Sequence, residues 1–234
     1  MKQEMLNALR AGLPALGLEL PPEREETLCD FGCAVVEQNK VMNLTAITEP
    51  DAVARLHLLD SLTVLTAADL SGKKLIDVGC GAGFPGVPLK IACPGVELTL
   101  LDSLGKRMTW LETILPTLGV RAETITARAE EAVASRRESY DFATSRAVAR
   151  LNILLELTAP YVKVGGAVLA MKGAAGWEEL DEAKNAVKQL GLKVEAVKTF
   201  PMDGTEHMLI VLRKIAPTPP RFPRRYAKIK QSPL

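Results

Sequence analysis

The chain has 234 residues, 47% of them hydrophobic and 24% charged, with a formal net charge of +1. That size accommodates one large domain with a small extension, and that composition excludes a low-complexity or disordered protein. No apolar run approaches the ~20 residues that span a bilayer, and Met1-Lys2-Gln3-Glu4-Met5-Leu6 lacks a signal-peptide hydrophobic region, so a cytoplasmic location is expected.

In chain order, residues 3–11 suit a short helix ended by Gly12 and Pro14. Leu28, Phe31, Gly32, Val35 and Val36 recur at helical spacing, so residues 23–40 read as an amphipathic helix opened by Pro22 and early acids. Residues 39–48 show no period and read as a loop. Pro50-Asp51 starts a further helix, which continues through His57-Leu58-Leu59-Asp60-Ser61-Leu62 to Ser71-Gly72.

From Lys74 the rhythm becomes strand, helix, strand. Strands are expected at 74–78, 97–101, 122–125, 142–145, 162–170, 193–199 and 207–212. The Gly165-Gly166 pair is placed in a turn just ahead of the fifth strand proper. One helix is expected over 104–118 and one over 177–190. Such alternation signals an α/β fold with a mostly parallel seven-stranded sheet covered on both faces. The short loop before the last strand makes that strand antiparallel. The expected organisation is a helical extension over 1–72, a ligand-binding core over 73–214 and a basic arm over 215–234. Ala216-Pro217-Thr218-Pro219-Pro220 is proline-rich, and the arm reads as extended.

The chemistry centres on Asp77-Val78-Gly79-Cys80-Gly81-Ala82-Gly83-Phe84-Pro85-Gly86. A strand that breaks into glycines ahead of a helix is the nucleotide-binding unit of a doubly wound sheet. A pyrophosphate wants free N–H groups at the helix start, and Pro85 has none to give. Asp77 would repel a phosphate and attract an ammonium group. S-adenosylmethionine, with an adenosine, an ammonium and no phosphate, fits both features. Asp102, at the end of the second strand, can accept hydrogen bonds from ribose hydroxyls, with Ser103 and Leu104 bordering the adenine; a strand-end turn is its bland alternative. Ala129 and Glu130 are placed at the adenine edge, although a Glu there also simply suits a helix N-terminus. Arg146 ends the fourth strand at the ligand side of the sheet, where it holds an anion, the methionine part of the cofactor or a structural partner. Lys172 is a second cation on that rim. His57 and His207 read as structural rather than catalytic, with the segment His57-Leu58-Leu59-Asp60-Ser61-Leu62 as a candidate cap on the cofactor side. Cys29, Cys33, Cys80 and Cys93 match no zinc spacing, and no metal is expected.

Charge is unevenly spread. After Glu206 no acid follows, while Arg221, Arg224, Arg225, Lys228 and Lys230 are mixed with Phe222 and Tyr226. Cations interleaved with rings suit RNA, and equally a solvated tail.

Asn43-Leu44-Thr45-Ala46-Ile47-Thr48, His57–Leu62, Asp77–Pro88, Leu101–Arg107, Ser145-Arg146-Ala147, Lys172-Gly173 and Pro223-Arg224-Arg225 together resemble the bacterial small-subunit ribosomal RNA guanine-N7 methyltransferases, the glucose-inhibited division protein B family. The resemblance covers nearly the whole chain; Cys80 and Gly105 depart from residues common in relatives. It implies a Rossmann-like methyltransferase fold, S-adenosylmethionine as donor and a guanine of 16S rRNA as acceptor. By that resemblance the cofactor residues would be Gly79, Phe84, Asp102, Ser103, Leu104, Ala129, Glu130 and Arg146, with Arg146 also positioning the reactants; the glycine turn itself adds Asp77, Gly81 and Gly83. RNA contacts would include Asn43, Thr45, Lys172, Arg221, Arg224, Arg225 and Lys228. No Asn-Pro-Pro-Tyr motif for an exocyclic amine and no Pro-Cys nucleophile for a C5 methylation appears. A methyltransferase of this fold acting on a non-RNA substrate, or a non-catalytic RNA-binding protein, is the alternative.

Overall fold

The computed structural model describes residues 1–234. The chain opens with α1 (Lys2–Gly12), α2 (Pro22–Asn39) and α3 (Pro50–Val53), then a π-helical turn over Ala54–Leu59 and α4 (Asp60–Leu62). Pro22 starts α2, where no amide hydrogen is required, and Glu23 and Glu25 sit in its first turn against the positive end of the helix dipole. Leu28, Phe31, Val35 and Val36 are buried, the stripe that their spacing predicts.

The alternating part follows: β1 (Lys74–Val78), α5 (Gly86–Ala92), β2 (Glu97–Asp102), α6 (Gly105–Thr117), β3 (Glu123–Thr126), α7 (Ala129–Ala132), β4 (Tyr140–Arg146), α8 (Leu151–Thr158), β5 (Val162–Lys172), α9 (Gly176–Glu182), α10 (Lys184–Gln189), β6 (Leu192–Met202), β7 (Thr205–Lys214) and α11 (Tyr226–Gln231). One seven-stranded sheet runs β3-β2-β1-β4-β5-β7-β6. β1 to β5 pair in parallel, while β7 is antiparallel to both β5 and β6. The expected α/β architecture, with its antiparallel last strand, is therefore present.

Neighbouring strand residues go to opposite faces. Leu75, Leu98, Leu100 and Leu169 share an apolar cluster with Met5, Leu9, Phe31, Leu58 and Leu62 of the N-terminal helices. Ile76, Leu101, Val168 and Ile210 meet Leu151, Leu155, Ala186 and Leu190 on the other face. The N-terminal helices thus share a core with the sheet rather than forming one of their own.

Three expectations need correction. Gly165-Gly166 lies inside β5: Val162 pairs with Tyr140 and Ala167 with Phe142, so the glycines form the irregularity between two paired stretches. Gly166 passes so close to β4 that a Cβ there would lie 2.3 Å from the Asp141 carbonyl oxygen. The single helix expected over 177–190 is two, meeting at Ala183, which is fully buried.

The C-terminal stretch is not a free extended arm either. Phe222 and Ile229 are buried. Arg137 donates to the carbonyls of Thr218 and Phe222, and Lys214 donates to Thr218 Oγ1. Glu156, an acid in the middle of apolar α8, accepts the Arg224 amide and its Nε–H, each at 2.8 Å. Proline content predicted extension, but burial of Phe222, worth ~1.5–3 kcal/mol, and the need of a buried carboxylate for a cation decide the outcome.

Candidate active site

The sheet changes direction of winding between β1 and β4, and in open α/β sheets ligands lie outside the carboxyl ends of the strands at that point. The glycine turn after β1 sits there. Gly79 has φ +74°, and a Cβ on it would lie 2.4 Å from Val148 Cγ2, so only glycine lets the loop after β4 approach this backbone. Gly79, Asp102, Ser103, Leu104, Ala129 and Glu130 line a cleft of about 340 Å³, together with Arg128, Ala147, Val148 and Tyr226. These six sequence-predicted residues come from three separate strand ends and converge. Asp102 is fixed there: its Oδ2 accepts the Gly81 amide and its Oδ1 the Leu104 amide, both at 2.9 Å. Each oxygen keeps a lone pair for a further donor. The Tyr161 hydroxyl holds the start of α7 by donating to the Ala129 carbonyl at 2.6 Å.

Gly81, Gly83 and Phe84 do not line this cleft. They build it from behind: Gly81 positions Asp102, and Gly83, at φ +97°, packs against Val87, Leu111 and Phe31. Asp77 is a correction. The sequence places its carboxylate toward a ligand ammonium, yet its side chain has no exposure. Its Oδ2 accepts the Gly86 amide at 2.8 Å, closing the turn, and its Oδ1 is enclosed without a hydrogen-bond partner. Burial pushes its pKa up to about 7.

A second cavity, about 680 Å³, lies across Ala147 and Val148, which line both spaces. Arg146 occupies its wall and organises it. Arg146 Nη1 donates to Asp60 Oδ2 at 2.9 Å and to the Leu56 carbonyl at 3.0 Å. Nη2 donates to His57 Nδ1 at 3.1 Å. The Leu56 carbonyl lies at the same 3.1 Å from Nδ1, and Nε2 lies 2.7 Å from Thr45 Oγ1. Burial and the Arg146 charge lower the His57 pKa to about 4, leaving the ring neutral. Asp60 Oδ1 receives His207 Nδ1 at 2.8 Å, and that bond raises the His207 pKa. Phe84 packs behind this group without lining the cavity: its ring stacks on His57 at 4.7 Å and lies 5.1 Å from the Arg146 guanidinium.

His57, Asp60 and His207 thus line or wall the site, although sequence reasoning left both histidines structural and offered only the His57–Leu62 segment as a cap on the cofactor side. His57 and Asp60 bracket the end of the π-helical turn, a feature often found at functional sites. Their i, i+3 spacing was visible; their partners, on β4 and β7, were not.

Several residues assigned to RNA are spent within the fold. Lys172 pairs with Glu179 at 2.6 Å in the wall of the second cavity and donates to the Ala149 carbonyl. Arg224 is taken by Glu156. Thr45 serves His57 and accepts the Ile47 amide. Arg221 stays exposed at the surface, with one bond to Gln189 at 3.1 Å. Asn43, Arg225 and Lys228 remain exposed at the surface.

Residues 24–209 match the family model GidB, described as rRNA small subunit methyltransferase G. A protein of Alkaliphilus oremlandii named ribosomal RNA small subunit methyltransferase G is 42% identical over 237 residues, covering 99% of this chain and 99% of that protein. One of the same name from Caldanaerobacter subterraneus subsp. tengcongensis is 42% identical over 240 residues, covering 100% of both. The fold is also that of M. jannaschii TYW2, solved in complex with AdoMet, at TM-score 0.55 and 12% identity over 67% of this chain and 75% of that one. The chain belongs to the rRNA small subunit methyltransferase G family.

Proposed function

We propose that the chain transfers a methyl group from S-adenosylmethionine to N7 of a guanine in the 16S rRNA of the small ribosomal subunit. The observation that carries this reading is the pair of cavities meeting at Ala147 and Val148, one edged by a carboxylate at a strand end, the other walled by Arg146. The donor cleft fits a nucleoside: Asp102 has acceptor capacity for hydroxyls, Glu130 an acceptor for an amino edge, and Gly79 bare backbone for close approach.

When bound, S-adenosylmethionine supplies an electrophilic methyl group. Guanine N7 offers a lone pair and carries no proton, so the acceptor needs no base. Most titratable groups of the second cavity are already engaged, Asp203 with Arg55 among them, and His207 alone keeps a ring nitrogen, Nε2, outside these bonds. His57 Nδ1 is occupied by Arg146, Asp60 is held between Arg146 and His207, and Glu179 is paired with Lys172. Such a site works by alignment and exclusion of water, and alignment alone can supply ~7–11 kcal/mol. Three of the five Arg146 N–H groups make these internal bonds, and Nε–H and the second Nη2–H are left for an acceptor such as guanine O6.

The test is incubation of 16S rRNA and of small subunits with methyl-labelled S-adenosylmethionine, then mapping of the labelled base. Label at N7 of a guanine is the expected result. Label on another atom, or none on rRNA, refutes the proposal.

A further inference from the structure

The C-terminal segment does more than cover the sheet. Glu156, with no exposed side-chain surface, grips Arg224, and Phe222 and Ile229 anchor the chain on either side. These contacts deliver Tyr226, the first residue of α11, to the cleft that holds Asp102 and Glu130. The Arg128 guanidinium lies 5.7 Å from the Tyr226 ring centroid, which fixes the ring further. Tyr226 belongs to neither apolar cluster of the core, so packing of the sheet does not require an aromatic there. A half-exposed ring, held at a cleft wall by a buried ion pair, has a ligand-facing surface.

We infer that the C-terminal segment is a built part of the donor cleft, with Tyr226 walling its nucleoside end and the Glu156–Arg224 pair holding it in place. The inference rests on the S-adenosylmethionine reading of that cleft and deepens it. The recognised chemistry is a planar purine, which an aromatic ring and a neighbouring guanidinium both favour over an aliphatic group. Arg128, Glu130 and Tyr226 also border a hollow that Glu131 and Arg225 line, so the wall continues into a surface of mixed charge.

Isothermal titration of the full-length chain tests it. Wild type, Tyr226→Ala and Tyr226→Phe are titrated with S-adenosylmethionine and with 5′-methylthioadenosine, which lacks the amino-acid end. Tyr226→Ala is expected to weaken both ligands by roughly tenfold, and Tyr226→Phe by less than about threefold. Arg224→Lys, which cannot reproduce the fork onto Glu156, is expected to weaken both ligands in parallel through Tyr226. Equal affinities of Tyr226→Ala and wild type overturn the inference, as does a loss confined to S-adenosylmethionine. A wild-type chain that binds neither ligand overturns the reading beneath it instead.

Discussion

At the scale of single residues, Arg146 is the group on which the second cavity depends. Its charge is satisfied by Asp60 and its orientation by Leu56 and His57, so any substitution leaves a buried acceptor without its donor. Arg146→Lys keeps the charge and loses the fork. Turnover on rRNA should fall by roughly a hundredfold, with S-adenosylmethionine affinity within a few-fold of wild type; unchanged turnover removes Arg146 from the mechanism. Asp77 gives a pH signature. Its folded pKa lies near 7, above the unfolded value. Its contribution to stability is therefore fully present below the unfolded carboxylate pKa and is lost as pH rises through about 7. Asp77→Asn has no such ionisation. The melting-temperature difference, mutant minus wild type, should climb by several degrees between pH 5 and pH 8, at roughly 2–4 °C per kcal/mol. A difference that stays flat shows that Asp77 is ionised throughout. His57 works the other way: with a folded pKa near 4 it adds stability above the unfolded value near 6.5 that fades as pH falls.

At the scale of elements, the glycine turn and the strand ends it faces were legible in the amino-acid order alone. Asp102, Ser103, Leu104, Ala129 and Glu130 could be found because each follows a strand whose apolar run is local in sequence. What stayed hidden needed the partner to be known. Glu156 and Arg224 are 68 positions apart, and His207 and Asp60 are 147 apart. Nothing local says that an acid in Leu-Glu-Leu-Thr meets a tail arginine, although an acid amid apolar residues is itself a signal that a cation is near. Asp77 was misplaced for a related reason: the motif gave its position next to the glycines, but the Gly86 amide that turns it inward lies across the turn. Gly79 tests the turn directly. Gly79→Ala forces a side chain into φ +74°, costing roughly 1–2 kcal/mol, and drives Val148 away. Loss of S-adenosylmethionine binding with a modest fall in melting temperature is expected in titration and thermal unfolding; retained binding means that the loop after β4 does not shape the donor cleft.

At the scale of the whole molecule, the tail's cations divide into those that hold the fold and those that face outward. Only the second group can answer phosphates. Arg225 and Lys228 are exposed and free of any ion pair, whereas Arg224 is not. Charge reversal at Arg225 should weaken rRNA binding and reduce the slope of log K against log salt by ~0.7 for each single-strand phosphate that is no longer neutralised. An unchanged slope places the RNA elsewhere on the surface.

Glu156 reports on whether the C-terminal segment unfolds with the sheet or separately from it. Its carboxylate is fully buried and its bonds run to the Arg224 amide and guanidinium, so the pair ties α8, in the middle of the core, to residues beyond β7. Removing one partner of a buried pair costs ~3–5 kcal/mol, because the other charge loses its compensation. Glu156→Ala should therefore lower the urea midpoint in a single transition, while Glu156→Gln, which still accepts the Arg224 amide, should lose less. If the tail were only draped on the surface, Glu156→Ala would instead leave the main transition in place, and protease would trim the chain after Lys214 without unfolding the rest. A single shared transition, with S-adenosylmethionine affinity falling alongside stability, is the outcome that a tail built into both core and cleft requires.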